Sequence, residues 1–197
     1  MSDNDGRWER DVLEKVAQQG VAGDIVECGV WKGGNLVLAG LVAATYVRDA
    51  QAPAEVSRRG LLGTFLTCQH AGLAMVKQAR GGCIVNVGDW ADVRPYKDYA
   101  AYFPSKAAIP GLTRVFAVEL GTRNPRVRVN AVLPGPVMLP PEVAGAEREA
   151  VIAGTLVKRE GGPEHVARAV LHFVENDFVT GACLPVDGGR SVFAHGG

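Results

Sequence analysis

The sequence predicts an α/β fold in which a parallel sheet of about four strands carries helices on both faces. The first observation behind this prediction is that short apolar, β-branched runs alternate along the chain with longer segments of helical spacing. The second is the composition, with 47% hydrophobic and 21% charged residues, which excludes a disordered chain. The third is the length of 197 residues, which is short for a complete sheet of about six strands with its crossover helices. We therefore expect a truncated sheet.

The charge balance excludes a nucleic-acid binder that works through a basic surface. Lys and Arg number 21, as do Asp and Glu, so there is no excess of cations to neutralise phosphates. The N-terminus, MSDNDGRWER, is polar and carries no signal-peptide pattern. The longest uncharged stretch, at 33–47, is too short and too rich in glycine to span a bilayer. We expect a cytoplasmic protein that binds neither nucleic acid nor membranes.

Residues 1–55 form the first predicted region, an atypical N-terminal segment. Apolar residues at Trp8, Val12 and Val16 have helical spacing, and Gly20 ends that helix. A short apolar run then leads into the glycine-rich turn GVWKGGN. The predicted elements are a helix at 7–19, a strand at 24–28, the turn at 29–35 and a helix at 35–47.

Residues 56–197 form the second predicted region, in which helices and strands alternate. A linker at 50–54 contains Pro53 and precedes a long helix that stops before Gly81. CIVNV and VRVNAV are strand candidates because they are apolar and β-branched. Pro163 with Glu164 beside it marks a helix start. The predicted elements are helices at 55–78, 99–120 and 163–175, an acidic helical segment at 142–154, and strands at 83–87, 127–132 and 183–186.

Tyr102 and Lys106 are the first candidate catalytic residues. They lie four residues apart in the predicted helix 99–120 and therefore share one face of it. An ammonium group at that distance favours the phenolate and lowers the pKa of the tyrosine. Such a tyrosine can act as a general acid or base near neutral pH.

Two further features follow the ends of predicted strands. Asp89 lies just past the strand 83–87, where open parallel sheets bind their ligands. The segment PGPV at 134–137 follows the strand 127–132, and its prolines fix a turn that could line a cofactor site. Because parallel strands end at one edge, we expect these features to lie near Tyr102.

The 4 cysteines do not indicate a metal site or a redox pair. No CxxC pair is present, and no histidine lies at ligand spacing from a cysteine. We predict small buried thiols in a reducing compartment, and no bound metal. The cysteines are Cys28, Cys68, Cys83 and Cys183.

Over about 135 residues the second region resembles the C-terminal part of a short-chain dehydrogenase/reductase. That resemblance implies a Rossmann-like fold, NADP or NAD as the cofactor, and a small-molecule substrate. It also implies a homodimer or homotetramer formed through the helices at 55–78 and 99–120. The matching pieces are GTFL at 63–66, GGCIVNVGD at 81–89, YAAYFPSKAAIPGLTR at 99–114, AVEL at 117–120, RVRVNAVLPGPV at 126–137 and TGACLPVDGG at 180–189.

The resemblance implies a role for each matching residue. Tyr102 would donate a proton to a carbonyl, and Lys106 would lower its pKa and hold the nicotinamide ribose, so that both contact the cofactor. Asp89 stands where most of the family has a serine and is similar to the pteridine-reductase branch, in which the aspartate takes part in proton delivery. We expect its carboxylate, near Lys106, to stay ionised. The residues that would back the nicotinamide ring are Pro134, Gly135 and Val137.

The first region departs from that family. It lacks the T-G-x-x-x-G-x-G turn and the N-N-A-G segment, and Gly60 stands where the family carries an active-site asparagine. Instead, residues 23–35 resemble the first motif of macrocin-type O-methyltransferases, which use S-adenosylmethionine. The residues that match this motif are Glu27, Gly29, Gly33 and Gly34.

Three hypotheses about function therefore stay open. The first is an NAD(P)-dependent reductase of a small carbonyl or pterin-like compound. The second is a catalytically inactive remnant, truncated or fused, that keeps the scaffold. The third is a fragment of an S-adenosylmethionine-dependent methyltransferase.

Overall fold

The structure, a computed structural model, describes residues 25–28, 53–100 and 102–193, with side chains from residue 60 onward. The predicted helices at 7–19 and 35–47 and the turn at 29–35 lie outside these residues. The elements are β1 (Ile25–Cys28), α1 (Pro53–Val76), β2 (Gly82–Val87), a 3-10 turn (Trp90–Asp92), α2 (Tyr102–Gly121), β3 (Val127–Pro134), α3 (Gly145–Ala153), α4 (Pro163–Glu175) and β4 (Cys183–Val186).

The described strands form one parallel sheet in the order β1-β2-β3-β4. In register, Cys28 of β1 pairs with Asn86 of β2, which pairs with Ala131 of β3, which pairs with Cys183 of β4. The predicted parallel sheet of about four strands is confirmed. Because all strands run the same way, β2, β3 and β4 end at the same edge of the sheet.

The helices cover both faces of the sheet, as predicted. Side chains alternate along β2, so that Ile84 faces one way while Cys83 and Val85 face the other. The Ile84 face packs against α1 and α2, through residues that include Met75, Phe116 and Leu120. The opposite face packs against α4, through residues that include Val166, Val170 and Phe173.

A buried polar contact ties β2 to both helices on the Ile84 face. Asn86 is fully buried, and its side-chain amide donates to the Thr113 hydroxyl of α2 at 2.9 Å. The Cys68 thiol of α1 donates to the Asn86 side-chain oxygen at 3.3 Å. Since both ends of the Asn86 amide are used in packing, this residue fixes the strand that precedes the candidate site.

Three helices begin at residues other than those predicted. Helix α1 begins at Pro53, which we assigned to a linker, because a proline is well suited to the first turn of a helix. Helix α2 begins at Tyr102 and not at residue 99, since Asp98 has a φ of 74° and breaks the helical path. Helix α3 begins at Gly145 and not at residue 142, because residues 140–143 form a turn in which the Val143 amide donates to the Pro140 carbonyl at 2.9 Å.

Across the described ranges, no helix has the length and apolar character needed to cross a membrane. The same part of the chain holds no group of three His, Cys, Asp or Glu side chains that could bind a metal ion. Three cysteine side chains are described, of which Cys68 and Cys83 are buried and Cys183 is half-buried. Of these, Cys83 and Cys183 are free thiols.

Candidate active site

The candidate site begins where β2 ends. The Gly88 amide continues the sheet ladder by donating to the Val132 carbonyl at 2.9 Å. Asp89 then caps the 3-10 turn, and one oxygen of its carboxyl group, Oδ1, accepts from the Ala91 amide at 2.8 Å. This contact leaves the second oxygen, Oδ2, directed elsewhere.

That second oxygen meets Tyr102. The Tyr102 hydroxyl donates to Asp89 Oδ2 at 2.9 Å, and one helical turn later the Lys106 ammonium donates to the Val87 carbonyl at 3.1 Å. Lys106 Nζ lies 5.9 Å from the centre of the Tyr102 ring. The structure thus brings together Asp89, Tyr102 and Lys106, the three predicted catalytic residues, at the carboxyl end of β2. Their chemical roles stay predictions.

The pKa of Asp89 is influenced more by burial than by Lys106, which differs from our expectation. Burial is the largest influence and raises the pKa of the Asp89 carboxyl group. The hydrogen bonds from Ala91 and Tyr102 and the charge of Lys106 act in the opposite direction, and Lys106 has the smallest effect of the four. We had expected Lys106 to decide the charge of Asp89, but desolvation outweighs it because the carboxyl group is largely removed from water.

Aromatic rings line the segment between Asp89 and Tyr102. The Trp90 and Tyr96 rings stack at 6.3 Å between centroids, and Tyr96 meets Tyr99 edge-on at 5.0 Å. Tyr99 in turn meets the Tyr102 ring at 6.3 Å. These contacts connect the loop after β2 to the first turn of α2, and so position both partners of the Asp89–Tyr102 hydrogen bond.

The residues at the end of β3 make a different set of contacts. Pro134 is the last residue of β3, and the Gly135 amide donates to the Val186 carbonyl of β4 at 3.0 Å. A Cβ atom on Gly135 would lie 2.5 Å from the Asp187 Cα atom, so that only glycine permits this approach. Val137 pairs with Gly161 and packs against the core cluster under α4. The described contacts of this segment therefore lie with β4 and the loop before α4, and its predicted contact with nicotinamide stays a prediction.

Gly60 stands where the family carries asparagine. It lies in α1 beside the part of α2 that carries Tyr102 and Lys106. A Cβ atom on Gly60 would lie 3.0 Å from the Cβ and Oγ atoms of Ser105, the residue before Lys106. The two helices therefore approach closely at this position. A larger side chain at residue 60 would displace either the Ser105 side chain or the helix itself.

Sequence reasoning missed one residue near the site, Arg190. Its guanidinium carbon lies 4.8 Å from the centre of the Trp90 ring. No spacing in the sequence could indicate this contact, because the two residues belong to segments that follow different strands, β2 and β4.

Comparison with known proteins finds one family over most of the chain. The family model described as enoyl-(acyl carrier protein) reductase matches residues 48–191. A carbonyl reductase family member 4 of Danio rerio is 39% identical over 135 residues, which are 68% of this chain and 55% of that protein. A 3-oxoacyl-[acyl-carrier-protein] reductase of Thermotoga maritima is 38% identical over 136 residues, which are 66% of this chain and 53% of that protein. The chain thus spans little more than half the length of these relatives.

Two further findings concern the fold and the N-terminal region. A solved short chain dehydrogenase/reductase family protein superposes with a TM-score of 0.65 at 31% identity, and the match covers 93% of this chain and 73% of that one. A second family model, macrocin-O-methyltransferase, matches residues 8–61. That match is longer than the 23–35 motif on which we based the resemblance, and it overlaps the first match at 48–61. The predicted boundary at residue 55 lies inside this overlap.

The broad match, the Asp89–Tyr102–Lys106 group and the parallel sheet agree with one another. The named relatives are reductases, and the solved family protein superposes over 93% of this chain with a TM-score of 0.65. The chain belongs to the short-chain dehydrogenase/reductase family of oxidoreductases.

Proposed function

We propose that the chain transfers hydride between NAD(P)(H) and the carbonyl or imine-like carbon of a small molecule, with Tyr102 as the proton donor. The observation that carries this proposal is the 2.9 Å hydrogen bond from the Tyr102 hydroxyl to Asp89 at the end of β2. Parallel sheets of this kind bind ligands at that edge. The names of the relatives, which are reductases, support the same reaction class.

The chain's own residues would handle the proton. As the substrate carbon is reduced, its oxygen or nitrogen gains negative charge and takes the proton of the Tyr102 hydroxyl. The tyrosinate that remains is stabilised by the Lys106 ammonium, which lies on the same face of α2 as Tyr102. The Val87 carbonyl of β2 accepts a hydrogen bond from this ammonium at 3.1 Å and so holds it in place. Asp89 holds the hydroxyl in position before the substrate arrives. A bound nicotinamide cofactor would supply or accept the hydride.

The described residues fit the nicotinamide end of such a cofactor. Lys106 is a buried cation at a strand end, and Tyr102 offers a hydroxyl one turn away; both suit the hydroxyl groups of a ribose. Pro134, Gly135 and Val137 remain our candidates for the surface behind the ring. NADPH and NADH are both candidates, because the part of the family that distinguishes them has no counterpart in this sequence.

Asp89 favours a nitrogen heterocycle, such as a pterin, as the substrate. An ionised carboxylate only accepts hydrogen bonds, whereas the serine found in most of the family also donates one. A ring N–H or an exocyclic amino group is the natural partner of such an acceptor. If Asp89 is protonated, as burial favours, it could also donate to a ring nitrogen.

The experiment is consumption of NADPH and of NADH against a panel of carbonyl compounds and oxidised pterins. We expect turnover with at least one compound, and its loss in the Tyr102→Phe variant. Absence of turnover with every compound and both cofactors, or turnover that Tyr102→Phe leaves unchanged, would contradict the proposal.

A second candidate is an inactive remnant that keeps the scaffold. The observations in its favour are that no glycine fingerprint for a pyrophosphate occurs in the sequence and that Gly60 stands where the family carries an active-site asparagine. Isothermal titration with NADPH and NADP⁺ separates the two candidates. Binding at micromolar concentration would exclude the remnant, and absence of binding would favour it.

The third candidate is a methyltransferase function of the first region. The match of residues 8–61 to the macrocin-O-methyltransferase model favours it. Titration with S-adenosylmethionine tests this candidate. Binding that the Gly29→Trp variant abolishes would support a methyltransferase site, and absence of binding to the unmodified chain would exclude it.

We propose in addition that the chain forms a homo-oligomer through α1 and α2. These helices contact each other and expose several large apolar side chains, and exposed apolar surface on neighbouring helices is typical of an interface. Sedimentation velocity should show a dimer or tetramer, and a monomer at micromolar concentration would contradict the proposal. The exposed residues are Leu61, Leu62, Phe65, Leu66, Leu73, Val115 and Val118.

A cytoplasmic location is part of this proposal. Cys83 and Cys183 are free thiols, which suits a reducing compartment. Cell fractionation of a tagged chain checks the location. Recovery of the chain in a membrane or secreted fraction would contradict it.

A further inference from the structure

Arg190 follows β4 in a turn whose backbone is firmly held. The buried carboxylate of Asp187 accepts from the Gly189 amide at 2.9 Å and from the Ser191 amide at 2.6 Å. Gly188 and Gly189 have positive φ angles of 65° and 81°, which favour glycine. The turn therefore directs the Arg190 side chain from a fixed backbone.

The Arg190 guanidinium connects two segments that are distant in sequence. One of its nitrogens, Nη1, donates to the Val151 carbonyl in the last turn of α3, and its planar carbon lies 4.8 Å from the centre of the Trp90 ring. A Cβ atom on Gly154 would lie 2.6 Å from that nitrogen, so the glycine makes room for the guanidinium. Partial burial lowers the pKa of Arg190, in keeping with a guanidinium that lies between two surfaces.

Helix α3 has no fully buried residue, and its Val151 and Ile152 are half-buried. Its described polar contacts to the rest of the chain include Glu160, which pairs with Arg148 of α3 and accepts from the Leu139 amide at 2.6 Å. Through Arg190, the last turn of α3 is also connected to Trp90 in the loop after β2.

That loop also holds the segment that carries Arg190. The Arg94 guanidinium donates to the Arg190 carbonyl at 3.2 Å and to the Phe193 carbonyl. Two arginines therefore connect the loop and the C-terminal segment. The Arg190 side chain contacts the Trp90 ring of the loop, and the Arg94 side chain donates to backbone carbonyls of the C-terminal segment.

We propose that Arg190 is a positioning residue that fixes the loop bearing Asp89, and thereby the hydrogen bond from Tyr102. Trp90 follows Asp89 directly, so a displaced Trp90 ring would turn the carboxyl group away from the tyrosine. The guanidinium lies over that ring and is anchored at Val151, which limits such displacement. The kinetic consequence rests on the proposed reductase function, whereas the structural consequence does not.

The first test measures the Trp90 environment without any turnover. In a Trp8→Phe, Trp31→Phe background, Trp90 is the only indole, because the chain has 3 tryptophans. We expect Arg190→Ala to raise the acrylamide quenching constant about twofold, because the ring loses its cation, and Arg190→Lys to stay near the parent value. Arg123→Ala is the matched control, since Arg123 is exposed in the turn after α2 and its described ion pair joins it to Glu119 of that helix, at 3.9 Å. Equal quenching in Arg190→Ala and Arg123→Ala would overturn the proposal.

The second test measures catalysis on a compound that the panel identifies. We expect Arg190→Ala to lower kcat about tenfold with the KM for the cofactor changed less than about twofold, because the reacting groups are misplaced and not removed. Arg190→Lys should recover most of the rate, since it keeps the cation and a donor. Changed quenching with an unchanged kcat would overturn the positioning role.

The two tests keep this proposal separate from the reductase proposal. If the parent chain shows no turnover, the reductase proposal fails and the quenching comparison alone decides whether Arg190 positions Trp90. If Arg190→Ala does not fold, Arg94→Ala replaces it. Arg94→Ala removes the donor to the Arg190 carbonyl and should raise Trp90 quenching, and the absence of that rise would overturn the proposal.

Discussion

The ends of β2 and β3 lie side by side at one edge of the sheet, yet their residues are used differently. At the end of β2, the Tyr102 hydroxyl donates to the Asp89 carboxyl group at 2.9 Å, and the Lys106 ammonium donates to the Val87 carbonyl at 3.1 Å. At the end of β3, Gly135 and Val137 join the backbone to β4 and to Gly161. One strand end gathers groups that can move a proton, and the other joins neighbouring elements.

The difference shows that two strand ends at one edge of the sheet can hold side chains of different chemistry. Both segments were predicted as parts of the site from the same argument, that ligands bind where parallel strands end. What distinguishes them is whether the local groups can change protonation or hydrogen-bond partner. Asp89 and Tyr102 can, while the main-chain contacts of Gly135 cannot be exchanged without moving β4.

The largest effect should come from Tyr102→Phe, which removes the hydroxyl group and keeps the ring contacts of Tyr102. We expect kcat to fall about 10³-fold, which corresponds to about 4 kcal/mol of transition-state stabilisation, because general acid catalysis contributes on this scale. The measurement is steady-state cofactor consumption with the best compound of the panel. The unfolding free energy should change by less than about 1.5 kcal/mol, since one hydrogen bond is lost.

Tyr99→Phe is the matched control for this variant. Tyr99 lies in the loop just before α2 and packs edge-on against the Tyr102 ring at 6.3 Å. Removing its hydroxyl should lower kcat by less than about threefold, because it donates no proton in the proposed reaction. Equal losses in the two variants would contradict the distinction between Tyr102 and its aromatic neighbours.

The next largest effect should come from Gly135→Ala, which tests the end of β3. The added Cβ atom would lie 2.5 Å from the Asp187 Cα atom, so β3 and β4 must separate. We expect a loss of about 2 kcal/mol in the unfolding free energy, measured by urea denaturation, and a smaller effect on kcat than that of Tyr102→Phe.

Gly111→Ala provides the comparison, because a Cβ atom on this helical glycine would meet nothing within 4 Å. That substitution should stabilise the chain by up to about 1 kcal/mol, since alanine loses less backbone freedom in a helix. Similar unfolding free energies for the two variants would contradict the close packing at Gly135.

The sequence predicted the elements whose signals are local. Helix α4 begins and ends where its proline start and its amphipathic spacing place it, and β4 lies at the predicted residues. The pairing of Asp89 with Tyr102 was also within reach, because a strand end and a four-residue helical spacing locate both groups.

The contacts that were missed join segments far apart in the chain. Arg128 of β3 is buried, and its guanidinium donates to four carbonyls at the end of α4 and just beyond it, where it offsets the partial negative charge of the helix terminus. Arg190 reaches Trp90 and Val151 in the same way. Neither arginine lies in a pattern that distinguishes it from a surface residue, since the partners are set by the tertiary fold. The carbonyls that Arg128 contacts are those of Phe173, Val174, Asn176 and Val179.

The smallest effect should be the pH dependence that Asp89 gives to stability. Burial raises the pKa of Asp89 in the folded chain above the value of about 3.9 of an unfolded aspartate. The contribution of the neutral carboxyl group is therefore fully present below the unfolded pKa and is lost as the pH rises through the folded pKa. Asparagine at this position stays neutral at every pH. The unfolding free energy of Asp89→Asn relative to the parent should then increase as the pH rises through the window above about pH 4.

Urea denaturation of both chains at several pH values across that window measures the difference, with Asp177→Asn, an exposed position, as the control. Because Asp177 is exposed, its substitution serves as the reference for removing an aspartate at the surface. A relative stability of Asp89→Asn that falls as the pH rises would mean that the Ala91 and Tyr102 hydrogen bonds outweigh burial and hold the carboxyl group ionised. In that case Asp89 would act on a substrate only as an acceptor. A rise would instead leave it able to share the proton of Tyr102, and the end of β2 would then differ from the end of β3 in holding two groups that exchange protons.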